Sequence, residues 1–348
     1  MRIRYVVAFL ALTLAVSSLT SCDRNARRKA EAGKQIDVAS CNTNNTNVAE
    51  NAQPSLGGTY RFTLIIYGTA GNPFFSKVVA GANEAASQLG CSVDIQFADN
   101  DAARQNNIIE TAICNKVDGI GISINLDDAY DQTVQRAINA GIPVLAFNID
   151  DSKGAKGNAR MAYIGQDMEA AGYIIGKRLI ADGKLKSGDR VVCPVEYPEA
   201  VYAVQRYAGA RKAFSEAGIK SEVLNTGGIS LEDTLNKLTQ YLLGHKNTAA
   251  VLAMGGMPME VAPQASRDVG LHIPNAGFDI SRQIAMNIKE GRSIATVDQQ
   301  PFYQGFMTIS QLYYARRYGL LPCDINTGGG VVDKKNLGKV LDLADSIR

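Results

Sequence analysis

Ile142-Pro143-Val144-Leu145-Ala146-Phe147-Asn148-Ile149-Asp150-Asp151 is an apolar run that turns abruptly polar. The stretch from Ile142 to Phe147 carries no charge, follows Gly141, and ends against an amide and two carboxylates. That is the length and composition of a strand buried on both faces. A helical pattern leads into it, because Val134, Ala137 and Ile138 fall on one face of a helix expected over Asp127 to Ala140. Another uncharged strand, Gly119 to Ile124, precedes that helix. Strand, helix, strand with no polar face on either strand is the repeating unit of a parallel sheet covered on both sides.

The same alternation extends in both directions. Upstream, strands are expected at Phe62 to Tyr67 and Ser92 to Phe97, with helices over Ser76 to Leu89 and Ala102 to Cys114. Downstream, strands are expected at Arg190 to Val195, Ser221 to Leu224, Ala249 to Ala253, Asn275 to Phe278 and Ile294 to Val297. Helices are expected between them over Gln205 to Ala217, Leu231 to Leu243, Pro258 to Val269 and Ser281 to Glu290, and a long one from Phe302 to Tyr318. The fold class is therefore α/β, in two halves of similar size with a cleft between them. Open α/β sheets take ligands beyond the carboxyl ends of their strands.

The amino terminus reads differently. Arg2 and Arg4 precede an uncharged run from Tyr5 to Val16, shorter than the roughly 20 residues of a spanning helix, as in a secretory signal. It leads to Leu19-Thr20-Ser21-Cys22, which resembles the bacterial lipobox; a plain signal peptide with a chance cysteine is the alternative. Lipidated Cys22 would supply enough buried methylenes to hold a domain at a membrane surface. Asp23 to Lys34 is charge-rich, and Asn42-Thr43-Asn44-Asn45-Thr46-Asn47 cannot bury a core, so a flexible tether up to Gly57-Gly58 is expected.

Composition excludes several function classes. Among 348 residues the formal charge is +2, with no block of like charges to hold nucleic acid. His245 and His272 are the two histidines, and no cysteine pair has zinc-site spacing, so neither a metal nor a cofactor is expected. No Gly-x-Ser-x-Gly elbow or phosphate loop occurs, so no enzymatic activity is expected. Cys91 and Cys114 bracket one strand–helix unit, leaving a disulfide between them open.

The polar residues at strand ends carry the functional reading. They are Asn72 with Phe74 and Phe75 after the first strand, Asn148 with Asp150 after the fourth, Asp279, and Gln299 with Gln300. Amides and carboxylates suit a polyhydroxylated ligand, and aromatic faces suit the C–H surface of a sugar ring. Simpler roles stand beside these. Asn72 also fits the cap of a helix starting at Pro73, and Asp279 that of a helix starting at Ser281; Gln299 also fits a hinge tie. One ring of Phe74 and Phe75 is expected to pack inward and the other to face the cleft.

With Asn72-Pro73-Phe74-Phe75, Gly141-Ile142-Pro143-Val144, Gly277-Phe278-Asp279 and Ala295 to Pro301 in this order, residues 60 to 348 resemble the periplasmic sugar-binding proteins of ABC importers, the ribose/galactose-binding type. The resemblance implies the type I periplasmic-binding-protein fold, two lobes joined by a three-crossing hinge near Gly165-Gln166, Asp298-Gln299 and Ile325-Asn326. It implies an N-terminal lobe of 59–165 and 299–325 and a C-terminal lobe of 166–298 and 326–348, after a signal peptide (1–21) and tether (22–58). The ligand set it implies is Asn72, Phe74, Phe75, Asn148, Asp150, Arg206, Asp279 and Gln299. Its implied partners are a monosaccharide or sugar derivative and an inner-membrane ABC permease, for an extracytoplasmic, lipid-anchored monomer; presentation of the ligand to a chemoreceptor or sensor kinase is the alternative. The chain departs from the pattern where ribose receptors carry Asp-Arg, here Asn148-Ile149. It departs again where they carry an arginine, here Val204 with Arg206 two residues on, and an asparagine, here Gly255 or Gly256. These departures point away from ribose itself.

Overall fold

The alternating apolar and amphipathic stretches form two six-stranded sheets in the computed structural model, which describes residues 59–228 and 230–348. The first lobe runs β1 (Arg61–Ile66), α1 (Pro73–Leu89), β2 (Ser92–Phe97), α2 (Ala102–Cys114), β3 (Gly119–Ile122), α3 (Asp131–Asn139), β4 (Val144–Asn148) and β5 (Ala162–Gly165). The second runs α4 (Met168–Gly183), β6 (Arg190–Val195), α5 (Val201–Glu216), β7 (Lys220–Asn225), α6 (Leu231–Gly244), β8 (Thr248–Ala253), α7 (Gly256–Asp268), β9 (Asn275–Phe278), α8 (Arg282–Lys289) and β10 (Ala295–Asp298). The chain closes with α9 (Pro301–Tyr318), β11 (Ile325–Asn326), β12 (Gly330–Asp333) and α10 (Gly338–Leu343).

The sheet orders are β11-β5-β4-β3-β1-β2 and β12-β10-β9-β8-β6-β7, so the two lobes repeat one winding. Every pair is parallel except β10 with β12. Interior strands β3, β4, β9 and β10 are buried throughout, whereas edge strands β2 and β7 alternate with exposed residues. Successive residues feed opposite faces. Phe62, Leu64 and Ile66 join a core with Ile309 and Leu312 of α9, while Ile65 joins Ile120, Ile122 and Val134 on the other side. In the second lobe Val191 and Cys193 pack with Ile175 and Phe214, and Val192 packs with Leu238 and Leu242.

In each lobe two helices meet at glycines. A Cβ on Gly81 would lie 2.8 Å from the carbonyl carbon of Phe302, binding α1 closely to α9. On Gly172 it would lie 2.8 Å from that of Arg206, so α4 approaches the backbone of α5 where a candidate site residue sits. The chain passes between sheets three times: between Gly165 and Met168, between Asp298 and Pro301, and between Asn326 and Gly330.

Element bounds differ from the sequence pattern where polar residues precede an apolar face. Helix α1 starts at Pro73 and α5 at Val201 rather than at Ser76 and Gln205, and β5, α4 and β12 carried no clear periodic signal. Cys91 is a free thiol, so it forms no disulfide with Cys114. The expected signal, lipidated Cys22 and tether lie outside the described residues.

Candidate functional site

The carboxyl ends of the two sheets face one another across the hinge, and the candidate residues sit where strands give way to turns. Asn148 ends β4 and Asp279 follows β9, with φ of 64° and 71°. Both are in the left-handed region, which Asn and Asp tolerate better than most residues. The backbone thus turns sharply at equivalent points in the two lobes.

Gln299 bridges these two residues. Its Nε2 donates to Asp279 Oδ1 at 2.6 Å, and its Oε1 accepts from Asn148 Nδ2 at 3.3 Å. Gln304 of α9 donates to the Gln299 carbonyl at 2.9 Å, and Thr327 Oγ1 donates to the same oxygen at 2.8 Å. Neutral amides therefore bind two of the three crossings together. Gln166, on the other crossing, accepts from Arg206 Nε at 3.0 Å and donates to the Gly328 carbonyl at 3.3 Å.

Arg206 is 2% exposed. Its Nη1 donates to the Met254 carbonyl at 2.8 Å, its Nη2 lies 3.7 Å from Asp279 Oδ1, and the guanidinium stacks on Phe278 at 4.1 Å. The planar fork lets one side chain serve a hinge amide, a strand-end carbonyl and a carboxylate at once. Asp279 Oδ2 accepts no hydrogen bond among the described residues.

The first lobe contributes aromatic surface. Asn72 caps α1 with Oδ1 accepting from the Phe74 amide at 2.9 Å, and Pro73 takes the first helical position. Phe75 enters the core, while Phe74 is half-buried and meets it edge to face at 5.2 Å. Tyr67, just after β1, also packs T-shaped with Phe75 at 5.3 Å. Burial pushes the Tyr67 hydroxyl well above its ordinary range, with Arg206 opposing and Asp279 and Glu196 adding to the rise. Those three charges belong to the second lobe, so Tyr67 faces across the seam.

Two further groups escaped the sequence reading. Lys77 of α1 is buried and donates from Nζ to the Ile280 carbonyl of the second lobe at 3.2 Å. Burial lowers its pKa, with Asp279 and Asp298 opposing. Glu196, after β6, is buried, and burial raises its carboxyl pKa above the usual range. Examining every strand end would have found Tyr67 and Glu196; Lys77 gives no such signal, being one turn inside a helix.

Asp150 is held in an ion pair. Both its oxygens are held by Arg160, at 3.1 and 2.5 Å, and Arg160 also reaches Asp324 at 3.3 Å. Asp150 follows the sharp turn at Asn148 and is drawn into an ion pair with β5's approach rather than the Gln299 relay. Asn148, Arg206, Asp279 and Gln299 are thus brought together, Phe74 and Asn72 stand on the first-lobe side, and Phe75 and Asp150 are tied into the scaffold.

A model of the periplasmic binding protein domain matches residues 62–318. The chain belongs to this family. As a periplasmic binding protein it is 27% identical to the xylose/arabinose-binding protein of Sulfolobus acidocaldarius, over 80% of this chain and 72% of that one. It is 28% identical to the ribose import binding protein of Bacillus subtilis, over 72% and 80% of the two chains. The crystal structure of a carbohydrate transporter from Acidothermus cellulolyticus in complex with myo-inositol superposes with a TM-score of 0.75 and 26% identity, covering 84% of this chain and all of the other. Both of these relatives are sugar-binding proteins.

Proposed function

We propose that the chain is the extracytoplasmic receptor of an ABC-type sugar importer, binding a monosaccharide or sugar derivative in the seam between the lobes. The observation that carries this reading is the Asn148–Gln299–Asp279 relay, which joins polar groups of both lobes at the hinge beside buried Arg206. Carboxylate and amide oxygens there would accept hydrogen bonds from ligand hydroxyls, Arg206 would orient Asp279, and the half-buried Phe74 ring would cover an apolar ring face. A ligand touching both lobes stabilises the closed form by its differential affinity, and a permease would recognise that form. The relatives that bind xylose, arabinose and ribose, and the related structure holding myo-inositol, support the ligand class. Asn72, Phe74, Asn148, Arg206, Asp279 and Gln299 are the residues we assign to the ligand.

The receptor would be held at a membrane through lipidated Cys22 and act as a monomer. Labelled palmitate should enter the protein in cells and be lost in Cys22→Ser; equal labelling of both would remove the anchor. A thermal-shift screen of monosaccharides, polyols, nucleosides and amino acids tests the ligand class, because a bound ligand raises apparent stability by mass action. At least one sugar or polyol should raise the melting temperature. A response to nucleosides or amino acids alone would contradict the reading.

A further inference from the structure

Helix α7 begins without a side-chain cap: Gly255 is its N-cap residue and Gly256 follows, so this strand end presents no side chain of its own. The space is filled from the neighbouring strand. A Cβ at Gly255 would lie 2.6 Å from Glu196 Oε1 and 2.7 Å from its carboxyl carbon, and one at Gly256 would lie 3.6 Å from Asp279 Oδ2. The Gly255–Gly256 corner is therefore flanked by the carboxylates of Glu196 and Asp279. Glu196 Oε1 accepts from the Met257 amide at 3.1 Å, and Oε2 accepts from the Tyr202 hydroxyl at 3.3 Å.

Both donors are neutral, and among the described residues no cation lies within ion-pair distance of Glu196. Arg206 is committed to Gln166, Met254 and Asp279. A buried carboxylate without an ion pair is costly, and capping a helix alone is done as well by a neutral oxygen. A carboxylate's two oxygens offer about four acceptor sites, and an ionised carboxylate accepts but cannot donate.

We propose that Glu196 is a specificity-determining residue that, paired with Asp279 across the glycine corner, accepts hydrogen bonds from adjacent hydroxyls of a neutral polyhydroxylated ring. This rests on the sugar-binding reading above and deepens it: the second lobe offers acceptors on both sides of the corner, so the ligand must present donors there. A carboxylate or phosphate on the ligand at that position would meet like charge.

The test is Glu196→Gln, which keeps an oxygen for the Met257 amide while removing the charge. Titration calorimetry on the full protein uses D-ribose, D-xylose, L-arabinose and myo-inositol as probes, and chemical unfolding is measured in parallel. The probe that binds the wild type should bind the variant about tenfold or more weakly, because a hydrogen bond to a charged acceptor is stronger than one to a neutral oxygen, without loss of stability. Gly255→Ala, whose Cβ displaces the Glu196 carboxylate, should weaken the same probe. Binding of the probe by Glu196→Gln within twofold of wild type would overturn the assignment and leave Glu196 as the cap of α7, with the sugar reading intact. Absence of binding of any probe to the wild type, with nucleoside or amino-acid binding instead, would overturn the sugar reading and this assignment with it.

Discussion

Phe74 and Phe75 are adjacent, yet alanine should reveal them as opposites. Phe75 is 2% exposed, with the Tyr67 and Phe74 rings nearly perpendicular to it at 5.3 and 5.2 Å and the Gly68 backbone against its ring edge. Truncating so buried a ring costs about 3–5 kcal/mol in transfer free energy and cavity. Phe74 is half-buried; half the burial of a large apolar side chain is worth about 1–1.5 kcal/mol. Its larger effect is expected on the ligand, where lost area and ring contact together amount to about 1.5–3 kcal/mol, or tenfold to more than a hundredfold in affinity. The chain has no tryptophan, so unfolding is best followed by far-ultraviolet circular dichroism in urea, with affinity measured by calorimetry. Phe75→Ala should shift the first-lobe transition and leave residual affinity in folded protein; Phe74→Ala should do the reverse. Equal stability losses with unchanged affinity would return both rings to the core and refute the reasoning.

Lys77→Met removes the bond to the Ile280 carbonyl while retaining an apolar stem, so it should open the lobes rather than unfold them. Ligand affinity should fall about tenfold, in line with a hydrogen bond from a charged donor, with a larger radius of gyration by small-angle scattering; unchanged values would mean that the Lys77–Ile280 bond does not hold the lobes together. Burial raises the Glu196 carboxyl pKa, Asp279 adding and Arg206 opposing, so the folded chain keeps this proton where the unfolded chain has released it. Stability from this group is therefore greatest in acid and falls as pH rises from the unfolded value through the raised folded one. Without ligand, Glu196→Gln should match the wild type near the unfolded carboxyl range and exceed it at neutral pH, by urea unfolding at each pH; a wild-type advantage at neutral pH would reverse the sign. Gly209→Ala places a methyl 2.7 Å from the Tyr173 amide and should cost about 1–3 kcal/mol by forcing α4 and α5 apart; a neutral result would mean that the helices adjust freely.

The fold was legible because its strands are uninterrupted apolar runs alternating with amphipathic helices, as Val144–Phe147 and Val251–Ala253 show, the pattern of a parallel sheet covered on both faces. Short β5 and β12 were not legible, because pairing with a neighbour, not their own pattern, makes them strands. Asn148, Asp279 and Gln299 were legible as polar residues at strand ends, and the structure joins them by hydrogen bonds. Asp150 lies just past the left-handed turn at Asn148, and its pairing with Arg160, ten positions on, is not encoded by local spacing. Lys77 and the Glu196–Gly255 complementarity depend on approach between separate segments, which no local spacing encodes.

The most direct test of the account is calorimetric titration of the wild type and Asp279→Asn with D-ribose, D-xylose, L-arabinose and myo-inositol. Asparagine tolerates the φ of 71° at this position, so the fold should persist. The account predicts one ligand per wild-type chain and about tenfold or greater loss in the variant, the scale of a charged acceptor's hydrogen bond. A sugar that binds both proteins equally would contradict it.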